Sequence, residues 1–111
     1  MAADPLATRN DDLRRWRSQF TDTTAIGSSP PRQRATCVGV IHRIRLVPGR
    51  QLEVTIEDGT GRLTGVFTGR SNLRGLELGS GMRLKGTIAS NFDHGLMMLN
   101  PTWTLVAELY E

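Results

Sequence analysis

Apolar residues fall into two regimes along the chain: one short stretch at helical spacing, then a longer region of alternation. In the first, Leu13, Trp16 and Phe20 recur at i, i+3 and i+7, while Arg14, Arg15 and Arg17 take other directions. That spacing puts three apolar anchors on one helical face. Asn10 is a ready N-cap, and Asp11 and Asp12 suit the positive end of a helix dipole, so a short amphipathic helix is predicted over 11–21, preceded by a tail. The stretch 21–34 is rich in Gly, Ser, Thr and Pro and reads as a linker, since Pro30-Pro31 bars a helix. Within it, Ile26 is free to drop into a groove of the main body. The helix has two readings, a stripe packed on that body or a basic arm that touches phosphate.

From Ala35 the period is two. Thr36 to Val47 is a long first strand in which Gly39 marks a bend or bulge, and Pro48-Gly49 stops it. Gln51 to Glu57 alternates strictly, with Leu52, Val54 and Ile56 inward. Asp58-Gly59-Thr60-Gly61 is a hairpin turn signal, and Arg62 to Thr68 returns as its partner with Leu63 and Phe67 inward. Between Gly69 and Gly81 the alternation breaks, leaving a turn or two of irregular helix with leucines to plug an opening. Met82 to Ser90 is a fourth strand, Asn91 to Gly95 a hairpin loop, and Leu96 to Asn100 a fifth strand that Pro101 ends and Trp103 to Val106 resumes. Five strands, a glycine-bent first strand and a longer connection after the third predict an all-β, five-stranded Greek-key barrel with a short N-terminal helix. Closure would remove the exposed edges. The expected organisation is tail, helix and linker over 1–34, barrel over 35–107 and a C-terminal tail over 108–111.

Composition narrows the function. With 111 residues, 38% of them hydrophobic and 23% charged, the chain has room for one domain and is not a disordered polyampholyte. No apolar run approaches the ~18–20 residues of a bilayer span, and the N-terminus lacks a signal-peptide pattern, so the expected address is cytoplasmic. The lone cysteine, Cys37, excludes an intramolecular disulfide and a cysteine-rich zinc site. The two histidines, His42 and His94, have no carboxylate cluster expected beside them, so neither metal nor cofactor is predicted. The net charge of +3, carried almost wholly by arginine, permits nucleic-acid binding without demanding it. A GC-rich coding sequence would also favour arginine.

Val38-Gly39-Val40-Ile41, then Leu52 through Leu63 with its Asp58-Gly59-Thr60-Gly61 turn, then Leu78-Gly79 through Leu84-Lys85-Gly86 and Asn100-Pro101, together resemble the OB-fold nucleic-acid-binding domain. The likeness is to small stand-alone OB-fold proteins of actinobacteria, whose third strand ends in a similar Val-(aromatic)-x-Gly-Arg. It extends to anticodon-binding OB domains of class II tRNA synthetases and the wedge domain of the fork-regressing helicase. It covers about Arg34 to Val106 and leaves the helix outside.

The resemblance implies binding of single-stranded or structured DNA or RNA on the faces of strands two and three, flanked by the loops between strands one and two and strands four and five. Transferred to this chain, those loops carry Arg50, Phe92 and His94. The face comprises Gln51, Glu53, Thr55, Glu57, Arg62, Thr64, Val66 and Thr68. It offers no aromatic side chain for stacking, and Glu53 and Glu57 would repel phosphate. Arg43 and Arg45 on strand one, with Arg83 and Lys85 on strand four, have outward parity and form either a basic patch beside the groove or a solvated wall. The candidate nucleic-acid contacts are therefore Arg43, Arg45, Arg50, Arg62, Arg83 and Lys85, with Phe92 and His94 stacking on a base.

A second function class is a protein-interaction module, with the detached helix docking on a partner or a second copy. An enzyme is not expected. His42 has no nucleophile or orienting carboxylate in view, Cys37 reads as a small buried residue, and neighbours such as Asp93 and His94 point apart. The glycines punctuate hairpins and do not open a phosphate loop.

Overall fold

The computed structural model of the chain describes residues 5–107. The first four residues of the expected tail and the C-terminal tail over 108–111 lie outside the described residues. The elements are α1 (Pro5–Ser18), a 3₁₀ turn (Ile26–Ser28), β1 (Arg34–Val47), β2 (Gln51–Glu57), β3 (Arg62–Thr68), β4 (Gly81–Thr87), β5 (Ala89–Asn91), β6 (Gly95–Leu99) and β7 (Thr102–Val106).

The helix starts earlier than its sequence signals indicate. α1 already includes Pro5, the first described residue. Asn10, Asp11 and Asp12 therefore lie inside α1, and the two aspartates pair with Arg14 and Arg15 at i,i+3 instead of meeting the helix start. Leu13, Trp16 and Phe20 are buried against Val38 and Val40 of β1, with Val106 at the margin. The Trp16 and Phe20 rings meet edge to face at 5.0 Å. The apolar stripe is thus spent on the chain's own sheet, so the helix is not detached. Gly81 makes room beneath it, since a Cβ there would sit 2.9 Å from the Trp16 ring.

The first half of β1 is buried on both faces. Cys37 and Ile41 join the main core, while the intervening Val38 and Val40 face α1. A continuous apolar run is what a strand covered on two sides requires. Val40 is the handover residue, paired with Glu57 of β2 and with Gly81 of β4. The register shift falls between Ile41 and Arg43, with His42 as the extra residue, not at Gly39. Gly39 serves close approach instead: a Cβ there would lie 2.7 Å from the Glu57 carbonyl oxygen.

Among the described residues the strands form one seven-stranded sheet in the order β5-β6-β3-β2-β1-β4-β7. The ladders do not draw the closed five-strand barrel that the alternation predicts. Two expected strands divide. The fourth breaks at Ile88, whose N–H bonds Gln33 at 2.9 Å and whose carbonyl accepts from Arg32 at 2.7 Å. β4 therefore pairs with β1, and β5 with β6. The last strand breaks at Asn100 (φ 49°) and Pro101, after which β7 does not resume β6 but runs antiparallel to β4. β6 itself lies parallel to β3.

The connection between β3 and β4 plugs the core with Leu73, 1% exposed. Ile26 does enter the main core. The β2–β3 turn fastens it there. Asp58, with no exposed surface, accepts from the backbone N–H groups of Ile26 (2.9 Å), Thr60 (2.8 Å) and Gly61 (3.2 Å) and from the Thr60 hydroxyl (2.6 Å). No helix among the described residues is long and apolar enough to cross a membrane.

Candidate nucleic-acid interface

Antiparallel pairing fixes the outward face of β2 and β3. Glu57 lies opposite Arg62, Thr55 opposite Thr64 and Glu53 opposite Val66, with the Thr55 and Thr64 hydroxyls bonded at 2.9 Å. The second half of β1 sets Arg43 beside Thr55 and Arg45 beside Glu53. The β5–β6 hairpin brings Asp93 and His94 over the same face. Together with His42 these residues line a groove of about 250 Å³. Val66, outward by parity, is nonetheless buried.

The two carboxylates in this face are nearly buried, at 6% exposure for Glu53 and 5% for Glu57. Their partners come from five elements. Glu57 meets Arg9 of α1, His42 Nδ1 at 3.5 Å and Arg62 Nε at 3.4 Å. Glu53 accepts from His94 Nε2 at 2.9 Å and Gln51 Nε2 at 2.6 Å and lies 3.7 Å from Arg45 Nη1. Burial pushes the Glu53 carboxyl upward, but the hydrogen bonds from His94 and Gln51 and the charges of His94 and Arg45 together hold it below its ordinary value.

This corrects two expectations. The acidic row is matched by cations from within the chain instead of standing bare against phosphate. Each histidine does have a carboxylate beside it. The sequence hid both facts because Glu53 and His94 are 41 positions apart, and because Arg9 precedes the helix start that Asn10 signals. No group of three or more His, Cys, Asp or Glu among the described residues is arranged to hold a metal ion.

Of the eight candidate contacts, Arg43, Arg45, Arg62 and His94 gather in the groove. Arg43 makes no ion pair among the described residues, so its charge is available. Arg83 sits elsewhere, paired with Asp22 and with its guanidinium 5.8 Å from the centre of the Phe20 ring. Lys85 lines a shallow depression with Asp22, Thr24 and Arg34. Arg50 lies at the β1–β2 turn beside Leu46, Pro48 and Arg70. Phe92 is fully exposed at the tip of the β5–β6 hairpin. His42 and Thr55 also line the groove. Alternation along β2 already puts Thr55 on the outward side, but only the bulge turns His42 toward Glu57.

No family model matches the chain, and no curated protein matches it. Solved structures do. The chain is similar to the p204 HINb domain, with TM-score 0.63 and 21% identity over 80% of this chain and 49% of that one. It is similar to a replication protein A heterotrimer bound to single-stranded DNA, with TM-score 0.55 and 20% identity over 68% of this chain and 58% of that one. The OB domain of MM0293 from Methanosarcina mazei gives TM-score 0.59 and 15% identity over 78% of this chain and 84% of that domain. The chain thus spans about half the length of the first and under two thirds of the second. At these identities the likeness is one of fold, and the fold is that of an OB domain.

Proposed function

We propose that this protein binds single-stranded nucleic acid, without catalysis, along the groove over β2 and β3. The observation that carries the reading is the convergence of Arg43, Arg45, Arg62 and His94, from β1, β3 and the β5–β6 hairpin, on one outward face. Arg45 and Arg62 are not locked by their carboxylates. Glu53 keeps His94 and Gln51, and Glu57 keeps Arg9 and His42, so each arginine can turn part of its guanidinium fork to phosphate. Phe92, exposed at the tip of the β5–β6 hairpin next to Asp93, is the aromatic side chain offered for stacking. The replication protein A structure, whose fold this chain shares, was determined with single-stranded DNA bound. The alternative of a protein-interaction module is weakened because the helix stripe it would use is already covered by β1.

The reading is tested by fluorescence anisotropy of labelled oligothymidylate at several salt concentrations. Three arginine–phosphate contacts give log K a slope of about −2 against log salt, and Arg43→Ala reduces that slope by about 0.7. Phe92→Ala lowers affinity by about 1–3 kcal/mol if it stacks on one base. Absence of binding at low salt overturns the proposal.

A further inference from the structure

We infer that the binding track continues past Arg62 into a second groove walled by α1, so that an element outside the OB body forms part of the nucleic-acid surface. This rests on the groove over β2 and β3 being the primary site.

The second groove, about 270 Å³, lies between α1 and the β2–β3 turn and is lined by Leu6, Arg9, Asn10, Glu57, Arg62 and the turn from Gly59 to Gly61. Arg62 lines both grooves, so they adjoin at this residue. Glu57 stands behind the junction. Arg9 reaches it from the helix side and Arg62 from the sheet side, so one buried carboxylate orients two guanidinium groups, one for each groove.

The walls are fixed. Gly59 has φ 86°, and a Cβ there would lie 2.2 Å from the Asn10 carbonyl oxygen, so only glycine lets turn and helix approach this closely. Arg14 Nη1 donates to the Gly59 carbonyl at 3.0 Å, and buried Leu13 and Trp16 hold the helix on the sheet. A groove with walls this constrained is preorganised for a ligand. Its chemistry continues that of the first: the Arg9 cation for phosphate, the Asn10 amide for polar edges, and Leu6, 63% exposed, as an apolar surface for a sugar or base. A strand filling the first groove and crossing Arg62 would find the same combination again.

The test measures affinity and salt slope for oligothymidylates from ~4 to ~16 nucleotides, the range of OB-fold site sizes, with the full chain, Arg9→Ala and Asn10→Asp. The inference predicts that short strands bind the full chain and Asn10→Asp alike, and that Arg9→Ala, which also releases Glu57 to draw on Arg62, loses more on long strands than on short ones. For long strands, Arg9→Ala loses about 0.7 of the salt slope. Asn10→Asp, which places a negative charge in the second groove and leaves the Arg9–Glu57 pair intact, weakens long strands only. Short-strand affinity also reports whether each variant is folded. An equal loss at every length would mean that Arg9 serves only to hold Glu57, and no loss at any length would mean that the second groove is empty of nucleic acid. Either result overturns the inference while leaving the primary site standing. Failure of the unmodified chain to bind any length overturns the primary reading, and this one with it.

Discussion

Asp58 carries more of this structure than its place in a turn announces. Its carboxylate gathers four hydrogen bonds and joins the β2–β3 turn to the segment that follows the helix. A hairpin signal was legible in Asp58-Gly59-Thr60-Gly61, but its burial was not, because the residue that covers it, Ile26, lies 32 positions away. Asp58→Ala takes the acceptor from the buried Ile26 N–H and from three donors of the turn, and its expected cost is about 3 kcal/mol in urea denaturation. A loss below about 0.5 kcal/mol, typical of an ordinary surface position, would contradict this role. Glu53 leads to a statement about pH. Its folded carboxyl titrates below its ordinary value of about 4.3, so the stability it contributes is present above that value and lost as pH falls through the lowered one. Glu53→Gln should flatten the acid limb of stability against pH. An unchanged limb would show that the His94 and Gln51 contacts are not held in solution.

At the scale of elements, spacing was a better guide than boundary signals. The i, i+3, i+7 pattern of Leu13, Trp16 and Phe20 identified the helix, although Asn10 misplaced its start. Alternation located β2 and β3 to the residue, since each has one face set against the core. It could not divide the fourth strand at Ile88, because nothing local distinguishes an inward residue that continues a ladder from one that exchanges partners. It also could not assign β7 to β4, since a proline reports an ending but not the next neighbour. The docking of α1 on Val38 and Val40 was half visible: their shared parity was clear, and which side faced the core was not. Leu13→Ala removes a fully buried anchor of that contact, with an expected cost of about 2–5 kcal/mol. Denaturation of this variant with the midpoint unchanged would mean that the helix is not packed as described.

Across the whole molecule, the OB fold was legible from the order of strands and turns, while the character of its groove was not. Sequence parity showed an acidic row with scattered arginines. Folding brings Arg9, Arg45, Arg62, His42 and His94 onto that row from both sides and leaves Arg43 unpaired among the described residues. The same folding sends Arg83 to Asp22 and Phe20, away from the groove. The measurement closest to the central claim is a chemical-shift titration of the labelled protein with a short single-stranded oligonucleotide. The account predicts that shifts concentrate on Arg43, Arg45, Thr55, Arg62, Thr64 and His94. Shifts confined to the Arg83 and Lys85 side of the sheet, or none at low salt, would contradict it.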